Sequence, residues 1–323
     1  MLNNFIFRLT QKFPFISRFW YSTDGYIKEE INDEDFIMGD NKLGKEIIAE
    51  DGQYDLFLPD EEIQAGRRME SMNCTRFGLL NAIEILAKIK YGKNWNRSDR
   101  YNGGGVTQNG STMSSALDSV RKYYGTVDEK VWPVDWDNFT WNEYYKAIPG
   151  EIRQLGLGWL KEYEVGFERV PQNINLIKEA LKYSPLYVSG FAWYESRGLY
   201  RSYGQANHCF TVYGYEEQKC LKAFDSYPPY KKQLDWNYQF GTIYAITLKK
   251  KSIKYNEAEI KKLMQRGIKY IIRVFSAGEV YELQGDKLVK VEPQEIKDIT
   301  IRNLSEAKKL IGITEQTYNK LTL

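Results

Sequence analysis

Histidine is almost missing from this sequence: there is one, His208, in 323 residues. Cysteine is scarce too, with Cys74, Cys209 and Cys220 an odd number at wide spacings. Those counts argue against a disulfide framework and against a tetrahedral zinc site, which needs clustered sulfur and imidazole ligands. Neither a metal nor a cofactor is expected. An excess of one charge is lacking as well. Lys and Arg number 45 against 43 Asp and Glu, a net of +2, and no basic run is interleaved with aromatics. Nothing there attracts a phosphate backbone, so no nucleic acid partner is expected. No apolar run approaches the roughly 18 residues that a membrane helix needs, so no membrane span is expected.

What the chain does carry in quantity is aromatic surface, with 25 Tyr, 15 Phe and 8 Trp. That load suffices for a sizeable core and for clefts lined by rings. The length fits one large domain with appendages, or two domains. The segment Met1 to Trp20 is basic and aromatic but lacks an uninterrupted apolar core and a small-residue cleavage site. No secretory signal is expected from it, which points to a cytoplasmic or particle-associated protein. It reads as an amphipathic anchor, a partner-docking arm, or a segment packed on the back of the domain.

The rest is organised around Ser71–Gly92. Phe77, Leu80, Ile83, Leu86 and Ile89 recur at helical spacing, and Leu79, Ala82, Ile85 and Ala87 widen the stripe. The pattern predicts a largely buried helix closed by a left-handed Gly92. Cys74 falls at or just before the first turn, where unpaired N–H groups and the positive end of the helix dipole favour a thiolate. Alone, such a cysteine is more often a small buried hydrophobe than a nucleophile.

Residues 21–55 read as a polar, acidic lead-in, and Asp55 to Gln64 carries a short apolar run broken by Pro59. Gln64 stands ten residues ahead of Cys74. A glycine- and polar-rich loop, 103–111, precedes a second helix over Met113–Tyr124, ended by Gly125. Residues 134–170 read as irregular apart from a short helix near 141–147, and a helix over 174–183 is closed by Pro185. Strands are predicted over 186–193, 206–214, 219–225 and 242–248. Helices first and antiparallel strands after make an α+β chain of two lobes. Beyond residue 250, a charged helix over 256–266, three strands near 270–274, 280–283 and 288–291, and two short helices form a small module. The expected division is an N-terminal extension (1–54), a main domain (55–250) and a C-terminal accessory module (251–323). An assembly partner would dock on the N-terminal arm or on that module.

A histidine on a strand is more often structural than functional, but this one has a testable neighbour. If 206–214 and 219–225 form a hairpin through Tyr215–Gln218, symmetric pairing sets Gly214 opposite Lys219 and His208 opposite Asp225. Opposed residues share a face with Cβ atoms about 5 Å apart. Asp225 would then orient the imidazole while its other nitrogen faces a thiol. Cys209 and Cys220 alternate to the opposite face, which leaves Cys74 as the partner.

Taken together, these pieces resemble the papain-like cysteine peptidases. Carrying the likeness are Cys74 opening a long helix, the glycine-rich loop before a second helix, and Trp132-Pro133. Asn207-His208 on a strand ending in Gly214-Tyr215, and Asp225 on the next strand, complete it. His208 and Asp225 lie 134 and 151 residues after Cys74, against about 130–150 in the papain type. The likeness covers about residues 55–250. Thr75 follows the nucleophile where the family has tryptophan, Asp225 replaces asparagine, and Tyr227 stands where an aromatic shield would be. No long inhibitory prosegment of the usual kind is apparent.

The resemblance implies a papain-like two-lobed fold, helical lobe against antiparallel β lobe with the active-site cleft between. It implies a polypeptide substrate and catalysis by Cys74, His208 and Asp225. It also implies an oxyanion held by the Cys74 backbone N–H and Gln64, provided residues 65–73 bulge. Gly110, Ser111 and Asn207 would bind the substrate backbone. Fold and triad alone do not separate peptide hydrolysis from peptidoglycan-amidase or transglutaminase-like chemistry, or from an inactive binding module.

Overall fold

Helix α1, Cys74–Tyr91, is the longest of the described helices, and every residue from Cys74 to Ala87 is buried, Arg76, Asn81 and Glu84 included. Gly92 closes it at φ 62, its N–H on the carbonyls of Ala87 and Lys88. A non-glycine residue in the left-handed region, Met72 at φ 55, turns the chain into the helix. The computed structural model describes residues 25–28, 46–101, 110–191 and 193–251, with the backbone of three further strands. The arm Met1–Trp20, the loop 103–109, and the expected helices over 256–266 and at the C-terminus lie outside the described residues.

Four shorter helices follow: α2 (Met113–Asp118), α3 (Trp141–Tyr144), α4 (Gly150–Glu162) and α5 (Ile174–Leu181). The second helix was expected to run to Tyr124; α2 instead widens into one π-helical turn over Ser119–Tyr123. The sheet strands are β1 (Tyr163–Arg169), β2 (Leu186–Phe191), β3 (Tyr194–Ser196) and β4 (Leu199–Arg201), then β5 (Ala206–Glu216), β6 (Cys220–Phe224), β7 (Lys231–Asp235) and β8 (Phe240–Lys250). Their order is β1-β8-β2-β5-β6-β7-β4-β3, antiparallel except where β4 meets β7. Helix α4 and strand β1 correct the irregular reading of 134–170. Three glycines in α4, at 150, 156 and 158, dilute its apolar period, and β1 has only its first and third residues buried.

One face of the sheet packs on α1: Tyr187, Cys209 and Tyr244 join Leu79, Leu80, Ile83 and Met113 in one core. The other face, with Val188, Phe210 and Val212, packs on Ile177, Ala180 and Leu181 of α5. Helix and sheet approach closely at Gly78, where an added Cβ would stand 3.0 Å from the Phe210 backbone N. Gly78→Val is therefore expected to destabilise the fold by about 1–3 kcal/mol. An unchanged thermal midpoint would show that no such close approach exists.

The chain forms two compact units, Met1–Lys251 and Ser252–Leu323. In the second, β9 (Tyr270–Arg273), β10 (Glu279–Gln284) and β11 (Lys287–Val291) make an antiparallel sheet with β10 in the middle. Among the described residues no helix is long and apolar enough to cross a membrane.

Candidate active site

Cys74 is the first residue of α1 and is wholly buried. Strand β5 brings His208, 2% exposed, to the same place. His208 Nε2 lies 2.6 Å from Asp225 Oδ1, an oxygen that also accepts the Ser226 backbone N–H at 2.8 Å. The second ring nitrogen, Nδ1, has no hydrogen-bond partner of good geometry, and Cys74 is the titrating neighbour close enough to act on it. Burial alone would raise the thiol; contacts with Cys209, then His208, outweigh it and lower Cys74 to about 5. Burial would likewise lower the imidazole, but Asp225, with Cys74 adding, raises His208 to about 10. Opposite charges in contact favour both charged forms.

The hairpin differs from its expected register. Thr211 stands opposite Phe224 and Gly214 opposite Lys222, because β5 runs on to Glu216 and the turn is Glu217–Lys219. On the His208 side of a bulge at Val212–Gly214 the pairing is displaced by two residues, which keeps His208 and Cys209 on their expected faces; between the bulge and the turn it is displaced by three. Asp225 thus sits just beyond β6, its N–H on the Tyr230 carbonyl at 2.8 Å, and reaches His208 diagonally. Cys209 requires a correction as well. It does alternate away from His208, yet its thiol and backbone both contact Cys74. The reason is the close approach at Gly78, which lays the start of α1 over the strand. Asp225→Ala should lower turnover on the order of 10²–10⁴-fold, since it strips the ring of its anchor. Cys209→Ser, which keeps the backbone N–H and a donor, should cost far less; equal losses in steady-state kinetics would refute this assignment.

Aromatic rings wall the imidazole. Tyr227 lies 5.6 Å from it, centroid to centroid, and Trp193 stands edge-on at the same 5.6 Å. Gln64 is buried, and residues 65–70 close on themselves through an Ala65–Glu70 bridge, with the Ser71 N–H on the Gln64 carbonyl at 3.1 Å. Its amide is occupied, however. Nε2 donates to Glu70 Oε1 and to the Tyr227 hydroxyl, both at 2.8 Å, and Oε1 accepts from Ser226 Oγ at 2.6 Å. Burial raises the Glu70 carboxyl to about 7 against its hydrogen bonds from Tyr227, Gln64 and the Met72 N–H.

Gly110, Ser111 and Asn207 come together around the chain's own residues 25–27. The Ser111 N–H donates to the Gly25 carbonyl at 2.9 Å, the Ile27 N–H to the Ser111 carbonyl at 2.9 Å, and the Tyr26 N–H to the Asn207 carbonyl at 3.3 Å. Tyr26 and Ser111 run parallel. Gly25 lies over the Cys74 thiol: a Cβ there would stand 3.0 Å from Cys74 Sγ and 2.8 Å from the Met72 carbonyl oxygen. Gly110, at φ 84, faces Gly25 so closely that only a glycine fits. Ser111 Oγ is itself tied to Thr75 Oγ1 at 2.6 Å and to the buried Arg76 guanidinium. A segment in the cleft was not expected, because 21–55 shows no periodic signal.

The sequence reading also missed Glu70, Trp193 and Lys232. Lys232 lies in β7, 3% exposed, with Nζ 2.7 Å from Asp225 Oδ2. The strand alternates in burial, with positions 232 and 234 inward, but Lys-Lys-Gln-Leu-Asp shows no matching apolar alternation in the sequence.

No protein-family model matches the chain, and no curated protein does. Among solved structures it is similar to the cysteine protease and lectin-like domains of Cwp84, a surface layer associated protein of Clostridium difficile. That likeness has 14% identity over 76% of this chain and 61% of the other, with a TM-score of 0.53. For clostridial Cwp84 after propeptide cleavage the values are 13%, 63%, 59% and 0.50. Bromelain from Ananas comosus shares 16% over 60% of this chain and 95% of its own, with a TM-score of 0.43. The chain thus has the papain-like two-lobed α+β fold. It spans about three fifths of the Cwp84 chains.

Proposed function

We propose that the chain is a cysteine-type endopeptidase that hydrolyses peptide bonds through a thioester on Cys74, with residues 55–250 as its peptidase domain. One observation carries the reading. The sequence's only imidazole stands against the thiol that opens α1, with a carboxylate 2.6 Å behind it. The Cys74 thiolate attacks the scissile carbonyl carbon, and His208 passes its Nδ1 proton to the leaving amine as the C–N bond breaks. His208 then takes a proton from water, which attacks the thioester and releases the acid, restoring the thiolate. Asp225 holds Nε2 throughout and keeps Nδ1 turned to the sulfur. For Gln64 to reach an oxyanion, its Nε2 must leave Glu70 or Tyr227. Losing one oxyanion donor typically slows such reactions about 100- to 1,000-fold.

A thiol-directed epoxide with mass mapping tests the reading. Labelling at Cys74 in the native chain or in Gly25→Val, which displaces the covering segment, and lost with His208→Ala, supports an enzyme; labelling of neither before denaturation overturns it. Release of peptides from casein then supports peptide hydrolysis, whereas release of cell-wall fragments alone would transfer the same chemistry to a peptidoglycan amidase.

A further inference from the structure

The buried charge behind the imidazole does not end at Asp225. Lys232 and Asp225 face each other with side chains 2% and 0% exposed. All three ammonium protons have acceptors: Asp225 Oδ2 at 2.7 Å and the carbonyls of Tyr227 and Pro229 at 2.6 Å each. The rings of Trp193 and Tyr200 lie 5.2 and 5.8 Å from the ammonium. An amide at position 225 would need no counter-ion, but a carboxylate out of water does.

We propose that Lys232 is a positioning residue of the site: clamped on the outer oxygen of Asp225, its ammonium keeps that carboxylate charged and turned toward His208. The inference rests on the triad proposed above, but not on which acyl substrate the triad takes. Counting charges makes the role specific. Thiolate, imidazolium, carboxylate and ammonium sum to zero. Without Lys232 the buried set carries −1, and the thiolate is the member that protonates most readily. Without the Asp225 charge it carries +1, and the imidazolium is disfavoured. With both neutralised it returns to zero. Burial would raise Asp225, but Lys232, then His208, hold it down to about 2. The phenols of Tyr200, Tyr227, Tyr230 and Tyr238 are all raised and stay neutral. Arg76 and Glu70, the other ionisable groups near Cys74, are present in all four proteins, and Glu70, raised to about 7, titrates within the window in each.

The test compares the full-length wild type, Lys232→Met, Asp225→Asn and the double variant. The readout is the rate of mass-mapped iodoacetamide alkylation of Cys74 between pH 4 and 9, which requires no substrate. At pH 4, below the wild-type thiol near 5, each single variant is expected to lose about tenfold, the equivalent of one pKa unit. The Lys232→Met profile should move to higher pH, and the double variant should return to within about threefold of wild type. Losses that merely add, or a Lys232→Met profile that coincides with wild type, would overturn the proposal. Should Lys232→Met not fold, the comparison of Asp225→Asn with the double variant decides: the double must alkylate faster, and a slower or equal rate overturns it. Normal alkylation with no peptide hydrolysis would defeat the peptidase reading while leaving Lys232 in its role.

Discussion

His208→Ala should lower peptide turnover about 10³–10⁴-fold, because it removes the proton donor of the first step and the base of the second. The same substitution should move the Cys74 titration upward, since the imidazolium is one of the groups that hold the thiol near 5. Alkylation of Cys74 at pH 6 would then fall well below wild type, with the Cys209 contacts giving residual support. Cys74→Ala should abolish turnover, and combining it with His208→Ala should cost nothing more, because the two groups act as one unit. The pH profile follows with its sign fixed by the same groups. Activity should decline below about 5, where the thiolate takes up a proton, and above about 10, where the imidazolium loses one. An active His208→Ala enzyme, or a profile rising steadily through the thiol's ordinary range near pH 8.5, would remove the ion pair from the mechanism.

Gly25→Val should have the opposite effect, unmasking the nucleophile. A Cβ at position 25 meets the Met72 carbonyl at 2.8 Å and Cys74 Sγ at 3.0 Å, so valine forces the segment out. Among the described residues, three backbone hydrogen bonds and the buried ring of Tyr26 hold the segment. At about 1 kcal/mol per hydrogen bond and about 2–3 kcal/mol for the ring, less the entropy of ordering four residues, a few kcal/mol remain. Cys74 alkylation should therefore accelerate about 10- to 100-fold, and Tyr26→Ala should act in the same direction. If Gly25→Val alkylated at the wild-type rate, the segment would not be what covers the thiol.

The site's parts were legible in the sequence unequally, for physical reasons. Helix α1 was readable because its apolar period is continuous and Gly92 ends it, β2, β5 and β8 because their composition is β-branched and aromatic, and β6 because a short apolar run follows a polar turn. The face of His208 emerged although the register there was two residues off, since alternation forgives even errors; nearer the turn it was three off, and the bulge at Val212–Gly214 absorbs the difference. Strand β7 was hidden by its composition: Lys-Lys-Gln-Leu-Asp looks solvated, and only a partner such as Asp225 accounts for a buried lysine. Glu70 and the segment at Gly25 were hidden for another reason. Their positions depend on long-range hydrogen bonds, to Tyr227 and to Ser111, that no local pattern encodes.

Separation along the chain between Cys74 and the groups around it has a consequence for biosynthesis. A ribosome releases Cys74 long before it has made His208, Asp225 or Lys232, and non-local strand pairing is the slow part of folding. Until β5 docks against Gly78, the thiol at the head of α1 lacks the cation that sharpens it. A newborn chain therefore carries an ordinary cysteine past its own exposed backbone, and acquires its chemistry only when little of that backbone is left within reach.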